Sequence, residues 1–356
     1  MKTPCRALMI LVSLSLPALA VAEEGASAAT AATAGYDKGF FIRDASGLNE
    51  LKLGGYIKLK LNRLIVDGPG DRADFSLPNA RLVLKGKVLI PGLKFKFQAE
   101  FGKGKVSLKD YHLDYTLLKD WLTVRAGQFK VPYGRSFLTS STKLEFIDRP
   151  ATSKYFRTSR DVGVAAYSTH KEIEYMVGLF NGSGEGVVPN FMNPTLAIRA
   201  AYNFGGIKTY SQGDLEGGDV RFAVGGSVVM AMDSYGRDAW ELMSELDAEL
   251  KYEGLAIVAE AFFMRTADTT TGTEVATGHL GANIQASYAI NKMWQPLVRY
   301  TVIAPDGGEA THSPEIGFTF FSKSHNFKLQ AGYLLEIAGA DVPLKQVLTA
   351  QVMLAF

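Results

Sequence analysis

Six basic side chains crowd one stretch of this chain. Arg135, Lys143, Arg149, Lys154, Arg157 and Arg160 all lie within Val131–Arg160, opposed only by Glu145 and Asp148. Lysine and arginine offer charged N–H donors and no acceptor, so such a group suits the reversible holding of anions. Two further charged sets lie at alternating positions. One is basic: Lys58, Lys60, Arg81, Lys85, Lys87, Lys94, Lys96 and Arg125. The other is acidic: Glu245, Asp247, Glu249 and Glu260. A spacing of two places each run on a single face of a strand.

Other chemistries are poorly supplied. The five histidines, His112, His170, His279, His312 and His325, sit in no recognisable triad motif. His112 and Asp114 share a strand face but have no nearby third ligand, so no metal site is expected. Gly102-Lys103-Gly104-Lys105 lacks the spacing and following helix of a phosphate-binding loop. The only cysteine is Cys5, which excludes a disulfide. No cofactor, no catalytic residue and no nucleic-acid partner is expected.

The elements that carry these charges begin with an export signal. Lys2 and Arg6 precede an apolar run, Ala7–Leu19, and Ala20-Val21-Ala22 fits a cleavage site. Residues 1–22 therefore read as a signal peptide. The run is too short to span a bilayer. Removing it takes away two basic residues of 38 and no acid, leaving 36 of each sign. Selectivity must come from where the charges lie. Residues 23–49 read as a periplasmic leader, low in complexity over 23–35 and expected to be mobile there.

From residue 50 the pattern has period two. Leu51, Leu53, Ile57, Leu59 and Leu61 oppose Lys52, Tyr56, Lys58, Lys60 and Asn62. Leu93, Phe95, Phe97, Ala99 and Phe101 oppose Lys94, Lys96, Gln98 and Glu100. At the far end Leu348, Ala350, Val352, Leu354 and Phe356 share one face, with the final aromatic placed for a membrane-interface girdle. Tyr111, Tyr115 and Trp121 suit a girdle or lipid face in the same way. Strands are expected near 50–64, 79–90, 93–102, 106–118, 121–130, 161–169, 173–181, 195–204, 220–231, 242–253, 255–265, 278–289, 294–303, 314–322, 326–337 and 345–356. No later stretch holds 18 consecutive apolar residues, so a helix is not expected to span a membrane.

Connection lengths alternate. Pro91-Gly92, Lys119-Asp120, His170–Glu172, Gly254, Ile290–Met293 and Lys323–His325 are short, with Gly205–Asp219 the exception. The others, 65–78, 131–160, 182–194, 232–241, 266–277, 304–313 and 338–344, are mostly longer. Short turns on one rim and long loops on the other mark an outer-membrane barrel. The expected fold is thus all-β: a transmembrane antiparallel barrel of about 16 strands over residues 50–356. Its long third loop, 131–160, folded into an aqueous lumen, would narrow it. With the apolar faces toward lipid, the basic set lines one arc of the lumen and the acidic set the opposite arc. The expected result is a transverse field across the pore.

Several segments resemble the phosphate-selective porin O and P family. The densest is Lys109-Asp110-Tyr111, then Val124-Arg125-Ala126-Gly127-Gln128-Phe129-Lys130-Val131-Pro132-Tyr133-Gly134. Glu145-Phe146-Ile147-Asp148-Arg149-Pro150 and Ser159-Arg160-Asp161-Val162-Gly163-Val164 follow. Leu179-Phe180-Asn181-Gly182-Ser183-Gly184 and Ser324-His325-Asn326-Phe327-Lys328-Leu329 complete the set. The resemblance implies a sixteen-stranded, trimeric bacterial outer-membrane porin with its third loop turned inward. Arg149 and Arg160 fall in the matched loop segments, but a full set of phosphate-holding residues is not matched.

The expected function is passive diffusion of small hydrophilic solutes, with a lean toward anions such as phosphate or polyphosphate. Outer-membrane lipid, small inorganic anions and two further copies of the chain are the expected partners. Alternatives are a general or weakly cation-selective porin, a non-conducting structural or adhesive barrel, and an outer-membrane enzyme, for which the chain lacks a catalytic cluster.

Overall fold

In chain order the elements alternate apolar and polar side chains, and the backbone follows that pattern into strands. The structure, a computed structural model, describes residues 32–66, 70–102, 104–187, 194–232, 239–268, 275–339 and 342–356. The expected signal peptide (1–22), the first part of the expected leader, Lys103 and the middles of five expected loops lie outside the described residues. Sixteen antiparallel strands, β3 (Glu50–Val66) to β18 (Lys345–Ala355), pair in sequence order. The sheet closes where β18 pairs with β3, Ala355 opposite Tyr56 and Lys345 opposite Val66. Closure leaves no unpaired edge to face lipid.

The faces are inverted relative to a soluble domain. Along β10 (Thr195–Phe204), Thr195, Ala197, Arg199, Ala201 and Asn203 are buried, while the intervening residues are exposed. Arg199 is 1% exposed and its neighbour Ile198 is 44% exposed. Lipid solvates the leucine, valine and aromatic belt outside, and the polar face turns to the interior. Among the described residues no helix is long and apolar enough to cross a membrane.

All sixteen expected strands are present, several with shifted ends. The largest shift is in β4 (Arg72–Lys87), expected to start at residue 79. The ladder slips there: Lys58 faces Asn79, but Lys60 faces Ser76. The one extra residue accommodates Pro78, which has no N–H to give to a ladder. The strand continues beyond the proline, which a local reading takes for a stop.

The leader also departs from expectation where it is described. β1 (Thr33–Tyr36) pairs with β2 (Phe40–Arg43), and β2 pairs with the start of β3, Phe40 opposite Leu53. β3 extends past the end of β18, and this hairpin satisfies its overhang. Phe356 completes the junction through two backbone hydrogen bonds with Gly55, each 3.0 Å.

Candidate functional site

The loop between β7 (Leu122–Lys130) and β8 (Arg160–His170), here L3, spans residues 131–159. It is closed at its base by the Val131 N–H donating to the Ser159 carbonyl at 3.3 Å. It contains two single-turn helices, α1 (Arg135–Leu138) and α2 (Thr152–Tyr155). Its side chains and backbone bond inward-facing residues of the six strands from β12 (Ala239–Tyr252) to β17 (Phe327–Ala338), so it lies against one half of the inner wall.

Three kinds of contact hold it there. The first is ionic. The Arg135 guanidinium donates to Asp247 and, at 3.0 Å, to Glu249. The Ser136 N–H donates to Glu260 at 2.8 Å. From β10, Arg199 adds contacts of 2.7 Å to Asp247 and 3.3 Å to Glu245. These carboxylates are all at most 6% exposed. The expected acidic arc, Glu245, Asp247, Glu249 and Glu260, therefore does not face an open lumen. It is covered by L3 and compensated by Arg135, Arg199, Lys251 and a backbone donor. Buried carboxylates need such partners and donors to be tolerated side by side. The acidic pole of the expected transverse field is thus buried beneath the loop and does not face the open cavity.

The second contact is apolar. Phe129, Tyr133, Phe156, Phe180, Val229, Met243 and Phe262 form one buried cluster between the loop base and the inner wall. Phe156 stacks on Phe262, centroids 5.2 Å apart and planes within 9°. Glycines make room on the wall. A Cβ at Gly281 would lie 2.2 Å from the Phe156 ring, and one at Gly317 would lie 3.0 Å from Phe146. Burying each phenylalanine contributes about 1.5–3 kcal/mol.

The third is a polar anchor at Glu145, which has no cationic hydrogen-bond partner among the described residues. Its carboxyl accepts from Gln285 at 2.7 Å, Gln295 at 2.6 Å and Ser287. Its backbone carbonyl accepts from Thr319 at 2.8 Å and Gln330 at 2.6 Å. Burial, with Glu249 nearby, pushes the carboxyl up to about 7.

The one long turn on the short-turn rim, residues 205–220, bonds to L3 as well. The Gln212 N–H donates to the Lys143 carbonyl at 3.1 Å, and the Glu145 N–H donates to the Gln212 side chain at 3.2 Å. Tyr210 lies with the Arg135 and Arg199 guanidinium groups 5.6 and 5.8 Å from its ring centroid. Its hydroxyl donates to Glu174 and accepts from Arg199 at 2.9 Å.

What remains open is a cavity of about 1490 Å³ against the other half of the wall. Arg81, Lys85, Lys87, Lys94, Lys96 and Arg125 of the expected basic wall line it. Lys58 and Lys60 do not. Lys58 is buried and donates to the Ser141 carbonyl at 2.9 Å, and Lys60 pairs with Asp148, both on L3. Some of the cations lining the cavity have partners: Arg81 with Glu100 at 2.8 Å, Lys96 with Asp110 at 2.6 Å and Arg125 with Asp114 at 2.6 Å. Lys85, Lys87 and Lys94 have no ion pair among the described residues. The register sets Lys52 opposite Lys85, Lys85 opposite Lys96, and Lys87 opposite Lys94. Like charges directly opposite destabilise a sheet, so this lattice opposes folding.

The loop cations divide in the same way. Arg149 and Arg160 line the cavity. Arg160 is paired with Asp110 at 2.6 Å. Arg149 donates to the Ser136 and Thr139 carbonyls at 2.7 and 2.6 Å and has no carboxylate partner among the described residues. Burial, with Arg160 and Arg81 nearby, pulls its guanidinium down to about 10, still charged at neutral pH. The other four expected constriction residues lie elsewhere. Arg135 is spent on the acidic face, Lys143 lies half-buried off the cavity wall, and Lys154 and Arg157 are exposed away from it.

Lys130 was missed. It donates to the Phe137, Leu138 and Thr139 carbonyls at 2.6, 2.9 and 3.3 Å and also lines the cavity. Its position beside Val131-Pro132 at the loop base was the available signal. Arg199 and Tyr210 were missed too, and neither carries a local pattern.

The model for the family described as phosphate-selective porin O and P matches residues 61–213. No curated protein matches the sequence. Among solved structures, the anion-selective porin from Comamonas acidovorans superposes with a TM-score of 0.64 at 13% identity, covering 86% of this chain and 100% of that one. The outer-membrane channel DcaP of Acinetobacter baumannii gives 0.64 at 13% identity, over 86% and 97%. OmpT of Vibrio cholerae in its trimer form gives 0.59 at 10% identity, over 86% and 99%. The chain folds as a sixteen-stranded barrel of the kind these outer-membrane channels share, and its residues 61–213 match the family model for phosphate-selective porin O and P.

Proposed function

We propose that this porin is a passive channel preferring small hydrophilic anions, inorganic phosphate and polyphosphate included. One observation carries the reading. The acidic half of the inner wall is compensated beneath L3, while the open cavity keeps Arg149, Lys85, Lys87 and Lys94 without carboxylate partners among the described residues. Cations on a narrow, low-dielectric wall raise the local anion concentration. Each can replace part of an anion's hydration, and none encloses it, so release stays fast.

Arg149 and Arg160 are the constriction cations in this reading, and the lysines form the path beyond them. Transport needs no covalent step and no cofactor. The porin would work as a homotrimer, and residues 1–22 would be removed on export.

A general porin of weak selectivity is the second reading. The acid partners of Arg81, Lys96, Arg125 and Arg160 favour it, because they cancel part of the wall's charge. Reversal potential in a planar bilayer under a KCl gradient separates the two. Anion preference, with chloride current reduced by low phosphate, supports the first. Weak or cationic preference without that reduction leaves only the second.

A further inference from the structure

Most large apolar side chains of L3 are hidden. Tyr133, Leu144, Phe146, Ile147 and Phe156 are between 1% and 6% exposed. Tyr155 is exposed but hydrogen-bonded to His279 at 2.8 Å. Phe137 and Leu138 differ. They remain part-exposed on α1, and both line the same cavity as Arg149. Apolar strand residues such as Phe95, Val106 and Met176 also line this cavity, but Phe137 and Leu138 set an apolar pair beside Arg149.

Part of their placement is structural. The Lys130 ammonium and the Arg149 guanidinium lie 5.1 and 6.0 Å from the Phe137 ring centroid, a cation–π arrangement that fixes the ring. That leaves the rest of the ring uncovered, and it gives Leu138 no role. The cavity thus sets an unneutralised cation, Arg149, beside an aromatic face and an aliphatic side chain that share the single turn of α1.

We infer that the narrow part of this channel is built for organic anions, carboxylates carrying an aryl or alkyl face, in preference to fully hydrated inorganic anions of the same charge. The inference rests on the anion-channel reading above and specifies its solute class. A carboxylate would meet Arg149 as its hydrocarbon part lay on Phe137 and Leu138. The hydrocarbon loses water there without leaving a polar group unpaired. An anion without such a face gains nothing from that wall and gives up hydration to pass it.

The test uses the full-length porin in planar bilayers, with benzoate and acetate as competing anions. The two share the carboxylate and the charge and differ in the apolar face. Benzoate should reduce chloride current at about tenfold lower concentration than acetate, about 1.4 kcal/mol. In Phe137→Ser and in Leu138→Ser the two concentrations should draw together, while anion preference under a KCl gradient persists. Equal potency of benzoate and acetate in the unaltered porin overturns the inference and spares the anion-channel reading. So does a benzoate advantage that survives both substitutions. Absence of anion preference in the unaltered porin removes both.

Discussion

Arg149 donates its Nε to the carbonyl oxygen of Ser136 at 2.7 Å, across a single fold of the same loop. A carbonyl carries only a partial charge, so the guanidinium is oriented without being neutralised. Arg160, also on the cavity, spends its charge on Asp110. Arg149→Gln should therefore lower the anion-to-cation permeability ratio more than Arg160→Gln. Arg157→Gln, exposed away from the cavity, should leave it unchanged. Reversal potentials of the three variants decide this, and equal effects from all three would remove Arg149 from its assigned place.

Arg135 does the opposite work. Its contacts with Asp247 and Glu249 are at most 1% exposed on every side chain involved. Removing one partner from a buried ionic group leaves charge without compensation, about 3–5 kcal/mol. Arg135→Ala should release L3 from the wall before it unfolds the barrel, because no strand pairing depends on this residue. Single-channel records should show larger and noisier conductance. Thermal melts should gain an early transition. A quiet channel of unchanged conductance would mean that L3 is held without this latch.

Residues 50–356 announced their strands because lipid and lumen impose a strict alternation, and sixteen ranges could be read from it. The exceptions are local. Pro78 hid the first part of β4, whose slipped register is a property of the pair with β3 and not of either strand alone. The leader's hairpin was hidden because β1 and β2 are four residues each and exist only against the overhang of β3. The site was less legible than the fold. Charge runs on strands could be assigned to a polar face, but which run stays open depends on contacts such as Arg135 with Asp247, separated by 112 residues. Nothing within Glu245–Glu260 tells that its charges will be covered. Nothing around Arg199 or Gln212 tells that they will help to cover them.

Glu145 gives the loop a pH dependence. Burial raises its carboxyl from 4.5 to about 7. A raised carboxyl binds its proton more tightly in the folded loop than in the unfolded chain. Its contribution to stability is therefore complete below about 4.5 and is lost as pH rises through about 7. L3 should be held most firmly in mild acid and loosen toward neutrality, read as rising current noise between those pH values. Glu145→Gln keeps an acceptor for the Gln285 and Gln295 amides and removes the titration. Its noise should be flat over the same range, and a persisting slope would place the titration elsewhere.

The glycine at position 281 tests the fit of loop to wall directly. A Cβ there would stand 2.2 Å from Phe156. Gly281→Ala must push the ring off its stack with Phe262, a disturbance of about 1–3 kcal/mol. Pairing it with Phe156→Leu should recover part of the loss, since a smaller side chain reopens the space. Thermal stability of the double variant above that of Gly281→Ala alone is the expected result. Additive losses would mean that the two residues do not meet.

Strand β3 supplies a test of inside against outside. Leu59 lies near the middle of β3, 46% exposed and opposite Val352, while Lys60 turns inward to Asp148. A lysine at 59 would face hydrocarbon, where it costs about 2–4 kcal/mol near the bilayer midplane. Lys60→Gln removes only an ion pair whose acid is largely exposed, worth about 1 kcal/mol or less. Denaturant unfolding from lipid vesicles should therefore separate Leu59→Lys from Lys60→Gln by a clear margin. Equal stability would mean that β3 presents its other face to the membrane, and every inward assignment made from its register would move with it.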